Sequence, residues 1–319
     1  VNFNNYYIKV NGTLRAIGES DGPINFNGGY IDFSSTSINY NEQTGTGCIV
    51  ENANLSTTSI TTNTSPKINH NTILRITINE GSPTISNNTI FSNVGVFFGA
   101  SPAITNNNIL GGISIGDSLP TLISNNRVTG DISGNAKIIS YNTVTGKISV
   151  GDSSQISNNV VSGGISVGVG SYTISYNTIS GADIGIHLPT VFVSSDVYAH
   201  DNSVSGCKTA ILGDLGSNVM LEKNSITNNE YGIKIQDPVT STKGSWIIKA
   251  NQIINNQYAI YGGVTSIEEN LIMNNTYGIY GTAVSIKANT IVNNSVGIRS
   301  VASNIFNNNI YNNTNYNIY

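Results

Sequence analysis

The aliphatic positions of this chain repeat. The hexapeptide I-S-N-N-T-I at residues 85–90 returns along the sequence as I-x-x-N-x-[IV]. Its Asn falls at Asn71, Asn88, Asn107, Asn126, Asn142, Asn159, Asn177, Asn202, Asn224, Asn251, Asn270, Asn289 and Asn308, about 20 residues apart on average. Three residues before each stands an aliphatic, such as Ile68, Ile85, Ile104 and Leu221, with Ala199 the weak member. Two residues after each stands another, such as Ile73, Ile90, Val128 and Ile226. Short alternating runs of this kind are strands with one face in and one face out. A fixed period near 20 is the signature of a solenoid, in which neighbouring repeats cover each other's apolar face.

The fold class expected is all-β: a single-stranded parallel β-helix of short coils. The Asn lies on the same side of its strand as the aliphatic two residues on, so it points inward at a corner. A buried amide needs partners, and stacked Asn supply them to one another. A second register follows in the C-terminal half. A small residue and then Ile come eight residues after the Asn, as in Gly185-Ile186, Ala210-Ile211 and Gly232-Ile233. The middle coils are shorter and turn on glycines such as Gly130 and Gly146. Longer spacings place loops near residues 187–197 and 236–245, where function often sits. Residues 1–52 read as a cap with the first irregular coils, and residues 53–319 as one continuous β-helix, a single domain overall. The Asn/Tyr-rich residues 312–319 are expected to cover the far end.

Composition narrows the function classes. Asn occurs 49 times, charged residues make up 10%, and the formal net charge is −4. Lys and Arg are scattered singly, which argues against a nucleic-acid partner. Cys48 and Cys207 lie some eight coils apart, on the order of 38 Å at one strand spacing per coil, and are expected to be free, buried thiols. No run approaches the roughly 20 apolar residues of a membrane span, and the chain shows no signal sequence. The polar, weakly charged surface suits an extracellular or cell-surface protein that meets polysaccharide. Nothing in the sequence speaks to oligomeric state.

The extended pattern I-x-x-N-x-I-x-x-N-x-x-G-I resembles the parallel β-helix repeats of NosD-type periplasmic proteins. It also resembles the wider carbohydrate-binding and sugar-hydrolase group within the pectate-lyase-like superfamily. The opening G-T-L-R-A-I-G at residues 12–18 and P-I-N-F at 23–26 resemble the first coils of secreted surface β-helices. The resemblance implies a right-handed solenoid and leaves function open, because many activities share the scaffold. The N-T-D, D-D, G-H-G and R-I-K motifs of polygalacturonase-like members are absent, as is the D-P-H-D of epimerase-like ones. The copper association of NosD finds no clustered soft-ligand set among three His and two Met. No metal site or cofactor is implied; Asp117 and Asp152 follow Gly in turns, and Ca²⁺ there is only a minor alternative.

Two groups of outward residues remain. Asp183, His187, Asp196, His200 and Asp201, with Lys208 one coil on, put carboxylates and imidazoles within a short stretch. They could supply a general acid and base for a polysaccharide lyase, glycoside hydrolase or epimerase. A plain turn at His200-Asp201 and an Asp183–Lys208 ion pair are the simpler explanation. The second group lies ten residues after successive ladder Asn and includes His187, Lys234, Tyr261, Tyr280 and Arg299. Stacked aromatics with flanking cations can hold sugar rings, although Tyr is also common on sheet surfaces. Tyr231, Tyr258 and Tyr277 form a further column three residues earlier, expected to pack at a core or corner. The reading with most support is a structural or carbohydrate-binding module without catalysis.

Overall fold

The alternation of Ile and polar residues is resolved as stacked strands in a computed structural model. It describes residues 1–2, 6–116, 121–188, 195–214, 216–236 and 244–319. Among these, the regular structure is entirely strand, and every strand-to-strand ladder is parallel. Contacts divide the chain into two units, Val1–Gly146 and Lys147–Tyr319. Each is a parallel β-solenoid whose coils carry three sheets; each coil uses three strands or, where Tyr258–Glu268, Tyr277–Lys287 and Val296–Phe306 run round a corner as one strand, two. One sheet precedes the ladder Asn, one follows it, and a third closes the coil.

In the first unit Ile68, Ile85, Ile104, Ile123 and Ile139 pair coil to coil in the pre-Asn sheet. All five are fully buried. Ile73, Ile90, Ile109, Val128 and Val144 do the same in the post-Asn sheet. Each such side chain contributes about 1.5–3 kcal/mol on leaving water. In the second unit the pre-Asn column runs Ile156, Ile174, Ala199, Leu221, Ile248, Ile267 and Ile286. Trp246, opposite Val219, is also fully buried in this unit. Its indole lies over Gly213, where an added Cβ would come within 2.8 Å of the ring.

The amides follow the expected inward ladder. In the first unit Nδ2 of Asn71, Asn88, Asn107 and Asn126 each donates to Oδ1 of the next ladder Asn at 3.0 Å. In the second, the same bond joins Asn159, Asn177, Asn202, Asn224, Asn251, Asn270, Asn289 and Asn308 at 2.9–3.0 Å. The Oδ1 also accepts the backbone N–H of the preceding ladder Asn, as at Asn224 N to Asn251. The Nδ2 also reaches a carbonyl one coil back, as from Asn251 to Leu221 O. Each ladder Asn follows a residue with positive φ, from His70 through Asn87 and Tyr141 to Ala288 and Asn307. Asn tolerates this left-handed conformation better than most side chains. The recurrent Asn-Asn pair is therefore one exposed corner residue and one buried ladder residue.

The structure adds a second ladder that the sequence reading did not assign. Asn229, Asn256, Asn275, Asn294 and Asn313 are linked Nδ2 to Oδ1 at 2.9–3.1 Å. Cys207 takes the head position, its N–H donating to Asn229 Oδ1 at 2.9 Å. Cys48 and Cys207 are free and buried. Residues 312–319 do not fold across an end. Their strand Tyr316–Ile318 continues the third sheet, with Tyr316 opposite Val296 and Ile318 opposite Ile298.

Asn251→Ala is expected to lower the unfolding free energy by at least about 2 kcal/mol, because Asn224 N–H and Leu221 C=O lose buried partners. Denaturant unfolding together with amide exchange checks this, and the loss of protection should centre on the neighbouring coils.

Candidate functional site

Register fixes what stands beside what on the outer face of the second unit. In its third sheet, Ser166, His187, Leu212, Lys234, Tyr261, Tyr280 and Arg299 are successive partners. Three positions earlier, Thr209, Tyr231, Tyr258, Tyr277, Val296 and Tyr316 form a parallel column. Tyr231, Tyr258 and Tyr277 are thus half-buried on the outer surface, not in the core or at a corner. The position is a strand start whose following residues, Gly or Ala then Ile, turn inward.

The rings form a herringbone. Tyr231, Tyr258 and Tyr277 stack in parallel with centroids 5.0 and 4.8 Å apart. Tyr261 and Tyr280 stack at 5.4 Å. The two columns meet at 81° and 79°, edge to face. Much of each ring face is therefore turned toward a neighbour, and the hydroxyl-bearing edges remain for solvent. Burial first, and the neighbouring phenols next, push the Tyr258 hydroxyl up from its ordinary range. Lys234 Nζ lies 4.3 Å from the Tyr231 centroid. The Arg299 guanidinium lies between Tyr280 and Tyr319, at 5.2 and 5.1 Å. Tyr277, Val296, Arg299, Asn315, Tyr316 and Tyr319 line a cleft of about 300 Å³ at this end.

At the other end of the same sheet lies a groove of about 560 Å³. Its polar lining is Lys147, Ser149, Ser162, Ser166, Asp183 and His187. The coil backbones approach closely here. An added Cβ on Gly164, at φ 91°, would meet Ile184 O at 2.2 Å. Asp183 and His187 share the groove. Lys208 stands beside Asp183 one coil on, through Lys208 N–H to Ala182 O, yet no ion pair joins the two side chains.

The other three candidates lie on a different sheet. Asp196, His200 and Asp201 belong to the pre-Asn strand and the corner after it. Asp196 Oδ1 accepts from Asn218 Nδ2 at 3.0 Å. His200 Nδ1 is 2.8 Å from Asp201 Oδ2. The His200 ring stacks on Tyr198 at 4.3 Å and meets Tyr176 edge-on at 5.6 Å. The structure thus brings Asp183 to His187 and His200 to Asp201, on two separate sheets. Sequence reasoning missed Tyr198, Tyr176 and Glu222 around His200. Register was the usable signal, since His200 and Glu222 are paired residues one coil apart.

The Tyr198 hydroxyl donates to the Glu222 carboxylate. That bond pushes Tyr198 up to about 12 and holds Glu222 below its ordinary range. Glu222 heads an outward column of alternating charge with Lys249, Glu268 and Lys287. Lys287 Nζ reaches Glu268 Oε2 at 2.6 Å. Asp117 lies outside the described residues, as do most of the loop positions expected near 187–197 and 236–245. Asp152 Oδ1 accepts from Ser153 N–H in its turn. Among the described residues no group of three or more His, Cys, Asp or Glu is placed to hold a metal ion, and no helix is long and apolar enough to cross a membrane.

The right-handed β-helix region family matches residues 146–315, just over half of the chain. The chain belongs to the right-handed β-helix family. No curated protein and no solved structure matches it. Membership gives the hand of this β-helix and its architecture, while the chemistry of its outer face has to be read from the side chains.

Linkage gives the Tyr198–Glu222 bond a pH signature. Tyr198 is raised above its ordinary 10.0 to about 12. Its contribution to stability is full below pH 10 and is lost as the pH rises through 12. Glu222 is lowered from 4.5, so its share is present above that value and lost as pH falls through the folded one. Tyr198→Phe is expected to flatten both limbs of Tm against pH. A residual alkaline limb stays with Tyr172, which burial pushes up to about 12.

Proposed function

We propose that this β-helix is an extracellular or cell-surface scaffold whose third sheet, in the second unit, binds a carbohydrate chain. The observation that carries the reading is the in-register outer column Lys234, Tyr261, Tyr280, Arg299 beside Tyr231, Tyr258 and Tyr277. Phenol edges offer hydroxyls to sugar hydroxyls and apolar rims to sugar C–H groups. The repeat of one coil, about 4.8 Å, presents these groups periodically, which suits a periodic linear polymer. Sugar rings have little open Tyr face to stack on inside the herringbone. The cleft beside Tyr277, Tyr316 and Tyr319 is where a ring has room. The experiment is glycan-array screening followed by calorimetry. Tyr261→Ala/Tyr280→Ala should weaken binding about tenfold or more while leaving the strand signal in circular dichroism unchanged. Equal affinity in the double variant removes the proposed face.

One observation favours a second reading, a polysaccharide-modifying enzyme. Asp183 and His187 line the same groove, and Lys147 is also in its lining. Glycoside hydrolysis takes two carboxylates across the scissile bond, and the described lining carries one. Base-assisted elimination or epimerisation, in which His187 takes a proton and a cation steadies the charge that develops, fits this lining better. On this reading His187→Ala should abolish the appearance of unsaturated or epimerised product ends from uronate-rich polysaccharide. Turnover that survives the change excludes the groove.

A further inference from the structure

Charged residues on the second unit follow two pairing rules. On the pre-Asn sheet cations meet carboxylates: Lys249 lies 3.9 Å from Glu269 and Lys287 2.6 Å from Glu268. On the tyrosine face, among the described side chains from residue 231 onward, they do not. From residue 231 onward the third-sheet segments YGIKIQ, YAIYGG, YGIYGT, VGIRSV and YNI hold Lys234 and Arg299 and no Asp or Glu. The chain as a whole has more carboxylates than cations, 18 against 14. Neither Lys234 nor Arg299 forms an ion pair or side-chain hydrogen bond with a described residue. Each is instead held against tyrosine rings, Arg299 from both sides.

A guanidinium held between two rings has its faces covered and its planar edge of N–H donors left over. That edge matches a carboxylate through two parallel hydrogen bonds. Arg299 lines the cleft together with Tyr277, Tyr316 and Tyr319. Lys234 stands three coil steps away along the same column, on the order of 14 Å. Resting on the glycan-binding reading, we infer that the ligand of this face is an acidic linear polysaccharide bearing sugar carboxylates. Arg299 reads one carboxylate as a planar fork, and Lys234 attracts a second as a point charge. The tyrosines between them hold the intervening residues.

The test uses the full chain and a matched pair of probes in calorimetry at low salt. One is a hexamer of a uronic acid. The other is the same hexamer with its carboxyls reduced to primary alcohols. The wild type should bind the acid form about tenfold tighter, and the advantage should shrink as salt rises. Arg299→Gln should remove most of that preference, weakening the acid hexamer far more than the reduced one. Arg299→Lys, which keeps the charge and loses the fork, should restore only part. Tyr258→Ala, which leaves Tyr231 under Lys234 and both rings on Arg299 in place, should weaken both hexamers alike, which tests the underlying glycan reading by itself.

Equal binding of the two hexamers by the wild type overturns the acidic-ligand inference and leaves the glycan reading standing. So does a preference that survives Arg299→Gln. Full recovery in Arg299→Lys, or equally tight binding of a sulfated neutral hexamer, overturns the carboxylate fork. Failure of both hexamers to bind overturns both readings. Arg299 is exposed, so its variants keep the fold.

Discussion

The structure depends on the side-chain amide of one residue per coil bonding to the coils on both sides. Asn107 shows the arrangement in full. Its Oδ1 accepts the N–H and the Nδ2 of Asn88, and its Nδ2 donates forward to Asn126 and back to Ile85 O. Backbone groups at a left-handed corner have no regular ladder partner, and leaving them buried and unpaired would cost about 1–3 kcal/mol each. The amide removes that deficit and sets register. A slip of one residue would turn the aliphatics outward and the polar residues inward. The remaining freedom of the coil, including turn length and insertions, is exercised away from these corners.

Fixed register makes the outer surface a set of columns in which each residue's neighbour is its counterpart one coil away. This near-translational repeat limits what a column can contain. Like charges one strand spacing apart repel, so Glu222, Lys249, Glu268 and Lys287 alternate. Tyrosines carry no such penalty and stack with their own kind, at 4.8 Å for Tyr258 and Tyr277. The surface chemistry of a sheet can therefore be changed column by column without touching the buried Ile, Val and Asn.

That division explains what could be read from the sequence. Inward positions must repeat, so Asn71 to Asn308 and their flanking aliphatics were legible as a solenoid. The hand was not, because periodicity is the same in either sense; it entered through the family. The second ladder from Asn229 to Asn313 was hidden because the two members of each Asn-Asn pair look alike, although one is exposed with positive φ and the other buried. The outer column through Tyr261 and Tyr280 was legible because its offset from the ladder is constant. The grouping of Asp183 with Asp201 came from nearness in sequence. In a coil of about 20 residues, such nearness carries the chain round a corner onto another sheet. Tyr198 and Glu222, 24 residues apart, are joined by a side-chain hydrogen bond on one sheet.

The same register rule separates charges that belong to the fold from charges left for a partner. A Lys beside a Glu on a neighbouring coil has much of its field cancelled locally, and such surface pairs add little stability. A cation resting on a phenol face is steadied by the ring quadrupole yet keeps its full charge and most of its donors. Lys249 and Lys287 are of the first kind; Lys234 and Arg299 are of the second. Both kinds occur in one unit, built by one repeat and differing only in which sheet carries them. Stability alone gives no reason for a pair of cations that meet no carboxylate among the described side chains, on the face that also gathers the tyrosines. An anionic ligand does, because it would complete on that face the neutralisation that Glu268 and Glu269 provide on the other.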